Sequence, residues 1–335
     1  MRPRGLGGAM RNRFPLYDPS HVREVKDPCL VFDGRVWHIF GSGGDSSCEQ
    51  WAIHHATSAS LNGPWEQHPP VHLPVDGSGV AAPGVIYSEG AFHLFVQTEF
   101  MREGGRIDYF TSPDGFAWTH INTPLLSVPG TEEAGIYDPH PAIVSGDRVL
   151  VYSAMPPIVG KPNPEIFLAI SSGPGWDGPW VRRGKILSHA DVAEHHNQPG
   201  HPDYEWGIEG PQLIELPDGR VLLNAVCFLP TGERGTRQRV FFAVANSLGE
   251  PFRSLGPLLR PSRRGENGHA SATLVDDELV LCYQARAQAG TWRYGIRRGV
   301  NLPSIEARPK LKARSIRARL RFQDNEEHPR GPVSL

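Results

Sequence analysis

The chain has 335 residues and a formal charge of −2 at pH 7. A balanced charge offers little to steer nucleic acid or an anionic membrane, and no apolar run approaches the roughly 20 residues that span a bilayer. The length suffices for one large core or two ordinary ones. With 37 Gly and 32 Pro among many short apolar runs, it reads as an all-β chain rich in turns.

Residues 1–24 are basic and irregular and read as an N-terminal arm. They lack the apolar stretch of a secretory leader, so a cytoplasmic protein is expected. Cys29, Cys48, Cys227 and Cys282 show no CxxC pairing. Three of them lie in strand-like apolar runs, as buried reduced thiols do.

From Asp27 a unit begins. Pro28 opens an apolar run that ends in Asp33-Gly34, and 35–40 returns as a second run, a hairpin signal. A third run, 51–57, leads to a turn closed by Trp65. The same order recurs at 83–118, ending in Trp118, and at 139–180, ending in Trp180. It recurs again from Pro211 to Phe252 and from His269 to Ile296. Five units at intervals of roughly 55 to 72 residues, each with three or four short strands, predict a five-bladed β-propeller with four antiparallel strands per blade. The domain is expected over 25–322, with a basic, apolar-alternating segment at 303–322 read as a strand completing the ring. Residues 323–335 read as a tail.

In a propeller, equivalent positions of successive blades lie on a ring about the axis. The residue before the blade proline is Asp27, Ala82, Asp138 and Gly210, with Glu209 one step earlier in the fourth copy and His269 near that place in the fifth. Three acids and a histidine then face each other across one mouth of the channel. Carboxylates so close are costly unless their pKa values separate, and such separation suits acid–base chemistry on a glycosidic bond. Asp18-Pro19 carries the same dipeptide without a following blade strand, and Glu205 competes with Glu209 but lacks the Gly-Pro.

The order Asp27-Pro28, Asp138-Pro139, Glu209-Gly210-Pro211 and Gly268-His269 resembles the five-bladed propeller glycosidases of glycoside hydrolase family 43, the arabinanases, α-L-arabinofuranosidases and β-xylosidases. The resemblance covers about 25–300 and departs from the pattern at Gly84, where family members often carry Glu. It implies Asp27 as general base, Glu209 as general acid and Asp138 as the group that orients the acid and tunes its pKa. It also implies inversion at the anomeric carbon, with acid and base separated by roughly 6.5–9.5 Å. His269 is expected near a central water or ion. No cofactor is required, although a structural calcium in the channel is compatible with the resemblance.

Trp206, close to Glu209, reads as a sugar-stacking platform. Arg286 reads as a substrate contact or a surface ion pair. The loop 188–204, with His189, Asp191, Glu194, His195, His196, His201 and Asp203, fits no zinc spacing and reads as a pocket rim. The expected partner is a carbohydrate, handled by an exo-acting glycosidase. A phosphorylase or transferase of the same type, or a non-catalytic glycan-binding propeller, are the alternatives.

Overall fold

Strands covered on both faces need apolar residues on both sides of the pleat, and the inner and second strands here carry them. In the computed structural model the described residues are 12–44, 51–76, 79–99, 105–156, 164–192, 207–230, 236–257, 259, 265–287 and 290–299. They form five antiparallel sheets, each with its strands in sequence order. Blade I holds β1 (Glu24–Phe32), β2 (Trp37–Gly44), β3 (Ala52–Ser58) and β4 (Glu66–Val71). Blade II holds β5 (Ala81–Ser88), β6 (Ala91–Thr98), β7 (Arg106–Ser112) and β8 (Thr119–Leu126). Blade III holds β9 (Gly135–Val144), β10 (Asp147–Met155), β11 (Glu165–Ser171) and β12 (Trp180–Leu187). Blade IV holds β13 (Ile208–Glu215), β14 (Val221–Pro230), β15 (Thr236–Ala245) and β16 (Arg253–Pro257). Blade V holds β17 (Gly265–Val275), β18 (Glu278–Ala287) and β19 (Arg293–Arg298).

The first strands touch one another in cyclic order, and β17 meets β1. The core lies between blades. Cys29, Phe40 and Ile53 of blade I pack on Val85, Phe92 and Phe110 of blade II. Phe95 and Tyr109 of blade II pack on Leu150, Tyr152 and Phe167 of blade III. No helix among the described residues is long and apolar enough to cross a membrane.

The N-terminal segment is not a free arm. Arg13 pairs with Ile296 on the outer edge of β19, and the Leu16 N–H donates to the Tyr294 carbonyl at 2.7 Å. Leu16 is 1% exposed and sits in one cluster with Leu30, Ile39, Val280 and Tyr294. This segment therefore stands in the place of a fourth strand of blade V. The strand expected within 303–322 lies outside the described residues. The basic residues of the arm hid its function, since the side chains that anchor it, Leu16 and its neighbour Tyr17, are scattered among polar and charged ones.

The Asp-Pro pairs do not precede the strands as the repeat suggested; they lie inside them. Each first strand skips register at the same place: between Lys26 and Cys29, Ala81 and Gly84, Tyr137 and His140, Glu209 and Gln212, and Asn267 and Ala270. The two residues in each gap form a bulge, which is where a strand tolerates proline, because no ladder N–H is needed there. The first residue of the bulge is left-handed in four blades: Asp27 at φ 51°, Ala82 at 50°, Asp138 at 49° and Gly210 at 63°. Such a conformation costs a non-glycine residue on the order of 1–3 kcal/mol and persists only where surroundings hold it.

Candidate active site

The five bulges turn backbone and side chains toward the axis at one end of the ring. His269 stands at the centre of the group. Its Nδ1 lies 3.0 Å from Asp27 Oδ1 and its Nε2 lies 3.2 Å from Glu209 Oε1. With roughly 2 Å between the ring nitrogens, the two carboxylate oxygens are at most about 8 Å apart, under the upper end of the roughly 6.5–9.5 Å that an inverting acid–base pair spans. Asp138 completes the set. It, Glu209 and His269 offer ligand-type atoms within 4.8 Å of one another.

The fourth blade departs from Asp-Pro for a steric reason. A Cβ at Gly210 would lie 2.9 Å from both Cε1 and Nδ1 of His269. A side chain at the bulge position is therefore excluded by the imidazole, and the acid comes from one residue earlier, with the longer Glu209 side chain reaching in. Tyr137 donates from its hydroxyl to Glu209 Oε2 at 3.3 Å. Gly210 N–H and the Ser153 hydroxyl both donate to Asp138 Oδ2, at 3.1 and 3.3 Å.

Neighbouring blades hold the bulges. The Ala82 N–H donates to Ser42 Oγ at 2.7 Å, and the Gly210 N–H to Ser153 Oγ at 3.0 Å. The Asp138 N–H donates to Gln97 Oε1 at 3.1 Å, and the Asp27 N–H to Gln284 Oε1 at 2.7 Å. In each case the acceptor is on the second strand of the preceding blade. Ser42, Gln97, Ser153 and Gln284 are buried. Sequence reasoning passed over them. Their signal was a polar residue late in an otherwise apolar second strand.

Burial and charge separate the carboxyls. Burial pushes Asp27 up, but the charge and hydrogen bond of His269, the Ser42 hydroxyl and Lys26 outweigh it and hold the group below its ordinary value. Burial pushes Asp138 up to about 8, with Glu209 and Asp27 adding to the rise and His269 opposing it. Burial alone would lower His269, yet the charges of Asp138 and Asp27 and the hydrogen bonds to Asp27 and Glu209 raise it well above the usual imidazole range. The ring is thus a charged bridge with both N–H groups donating. A calcium needs about 6–8 oxygen ligands, and an ion bound through His269 would have to displace one of these protons. The donor set does not suit that ion.

The space left on the axis is narrow, about 30 Å³ open to the centre of a water, and Asp27, Asp138, His140 and His269 are among its walls. A cavity of this size holds a water and excludes a sugar ring. A glycosyl unit would therefore have to sit above the carboxyls, at the mouth. A wider cleft of about 580 Å³ beside β11 and β12, lined in part by Glu132, Phe167 and Lys185, contains none of the axial groups.

The other expected residues divide. Arg286 is paired: its Nε donates to Glu266 Oε1 at 2.5 Å and its guanidinium lies 4.4 Å from the Trp292 ring centre. Asp18 is exposed on the rim and bonds Arg293 at 3.2 Å, away from the axis. His189 and Asp191 form a short 3-10 turn, His189–Val192, in which Asp191 accepts from Ser188. Trp206, Glu205 and the loop from 193 onward lie outside the described residues. At Gly84 a Cβ would meet the Pro139 carbonyl and lie 2.8 Å from the His140 Cα. The close approach of blades II and III therefore leaves no room for the glutamate common at that position in the resembled family.

A five-bladed propeller with carboxyls from, or next to, three first-strand bulges gathered on its axis is the class that fold and site define. Solved structures of that fold include an exo-1,5-α-L-arabinanase from a bovine ruminal metagenomic library, at TM-score 0.61 and 17% identity over 82% of this chain and 92% of that one. A thermostable family-43 glycoside hydrolase matches at TM-score 0.63 and 16% identity over 82% and 89%. A Bacillus subtilis arabinanase matches at 0.61 and 14% over 84% and 96%. At these identities the likeness carries the fold. No protein-family model matches the sequence, and no curated protein matches it either.

Proposed function

We propose that the protein is an inverting glycoside hydrolase that removes terminal arabinosyl or xylosyl units from short glycosides. Asp27 is the general base, Glu209 the general acid, and Asp138 the group that tunes and orients the acid. The observation that carries this reading is the bridge Asp27–His269–Glu209, which sets two carboxyls on opposite sides of one imidazole, no more than about 8 Å apart. The shared fold with arabinanases and a family-43 hydrolase supports it.

The roles follow from the environments. Asp27, held low, is ionised near neutrality and accepts a proton from the attacking water. The proton for the leaving oxygen is delivered by Glu209, which has Asp138 and His269 beside it within 4.8 Å. Glu209 is partly exposed where Asp138 is buried, so it is the member that faces substrate and hands the proton on.

A phosphorylase would need a free cation for phosphate. Lys26 lies 4.1 Å over the Trp51 ring and 3.7 Å from Glu24, and Arg286 is paired with Glu266, so neither favours that alternative. A purely glycan-binding propeller gives no reason for three converging carboxyls. The reading is tested by replacing Glu209→Gln and assaying aryl glycosides. Activity should fall steeply on poor leaving groups and much less on good ones. Full activity on a poor leaving group would remove Glu209 from the acid role.

A further inference from the structure

On the assignment of Asp27 as base, we propose that Gln284 and Tyr294 of blade V are positioning residues for it, clamping the one peptide bond that fixes its direction. The Lys26–Asp27 peptide is held at both ends. Its N–H donates to Gln284 Oε1 at 2.7 Å, and its carbonyl accepts from the Tyr294 hydroxyl at 2.8 Å. Both side chains come from another blade, more than 250 residues further along the chain. Gln284 is 1% and Tyr294 0% exposed.

The clamp is itself braced. Gln284 Nε2 donates to Gln238 Oε1 at 3.1 Å, and the Gln238 N–H donates to Glu266 Oε2 at 3.0 Å. Tyr294 meets Tyr17 of the N-terminal segment edge to face, with ring centres 6.1 Å apart. Two glycines leave space for it. A Cβ at Gly41 would collide with the Tyr294 hydroxyl and lie 2.6 Å from the Lys26 carbonyl oxygen, and one at Gly268 would collide with the Gln238 and Gln284 amides.

The physical need is the left-handed backbone of Asp27, φ 51°. Rotation about N–Cα toward the ordinary region would swing Cβ, and with it the carboxylate, away from His269. Fixing the peptide plane at both its N–H and its carbonyl opposes that rotation. The same device, at its N–H end, recurs at Asp138 with Gln97. The two aspartates of the bulges, Asp27 and Asp138, are thus each held by a glutamine, while Ala82 and Gly210 are held by serines. A base displaced by about 1 Å loses on the order of 100-fold in rate.

The experiment compares Tyr294→Phe and Gln284→Met with Asp27→Ala and Glu209→Gln, on aryl glycosides with good and poor leaving groups. Each clamp variant should lose roughly 10- to 100-fold in kcat with KM within about twofold. The loss should be equal for both leaving groups, as for Asp27→Ala and unlike Glu209→Gln. The acid limb of kcat/KM should move to higher pH as Asp27 loses its contact with His269. Thermal melts separate misfolding from mispositioning, and Gln284→Met serves if Tyr294→Phe fails to fold. Unchanged kcat in both variants with Asp27→Ala inactive would overturn the clamp alone. So would a loss that tracks the melting midpoint while the acid limb stays in place. An active Asp27→Ala would overturn the assignment of the base and the clamp with it.

Discussion

Gly210 leaves the space that the His269 imidazole fills, and with no side chain there the nearby carboxyl is that of Glu209, the proposed general acid. The Gly210 backbone is left-handed, and a Cβ on it would press on two ring atoms at 2.9 Å. The substitution Gly210→Ala should therefore displace His269 from between Asp27 and Glu209. The expected outcome is at least a tenfold fall in kcat with a stability loss of about 1–3 kcal/mol, read from steady-state kinetics and urea unfolding.

Asp138 is raised to about 8 by burial, with Glu209 and Asp27 adding to it. Its ionisation should appear as the alkaline limb of the activity profile. In Asp138→Asn that limb should move, and kcat should drop more than KM changes. A pH series of kcat/KM on wild type and variant checks this, the limb remaining unmoved being the contrary result.

The N-terminal segment closes blade V through Leu16, which is 1% exposed. Leu16→Ala should cost about 2–5 kcal/mol, the range for a buried leucine cut back to alanine. Equilibrium unfolding in urea measures it, and a loss under about 0.5 kcal/mol, as for an exposed site, would make the segment a passive arm.

Stability should peak near neutrality because two sets of groups pull in opposite directions. Burial lowers His54 to about 4, His55 to about 2 and His140 to about 3. These rings stay neutral in the fold but gain protons when unfolded, so stability is lost as pH falls from about 6.5 toward those values. Asp138 and His269 are raised in the fold, so their contribution is present at low pH and is lost as pH rises through their folded values. Melting midpoints across pH 4–9 should give a dome, and His55→Gln should flatten its acid side.

The blades were legible because four of them repeat a hairpin signal: Asp33-Gly34, Gly90, Gly146 and Asp218-Gly219 stand between their first and second strands. The acids were legible because they stand in register with the blade prolines. The bulge itself was not, since a two-residue slip in register depends on the partner strand. Closure by Arg13–Leu16 was hidden for the same reason, as pairing with β19 spans nearly the whole chain. The paired state of Arg286 depends on Glu266, twenty residues away, and no local pattern reports it. Gln284 and Tyr294 looked like ordinary strand residues, and their role exists only once blade V meets blade I.

Asp27 and Glu209 are proposed to act from opposite faces of the sugar, with a water between Asp27 and the anomeric carbon. Proton NMR of the first product released from an aryl α-L-arabinofuranoside or β-D-xyloside tests this most directly. The initial product should carry the inverted anomeric configuration and equilibrate only afterwards. A retained configuration at first release would contradict this assignment.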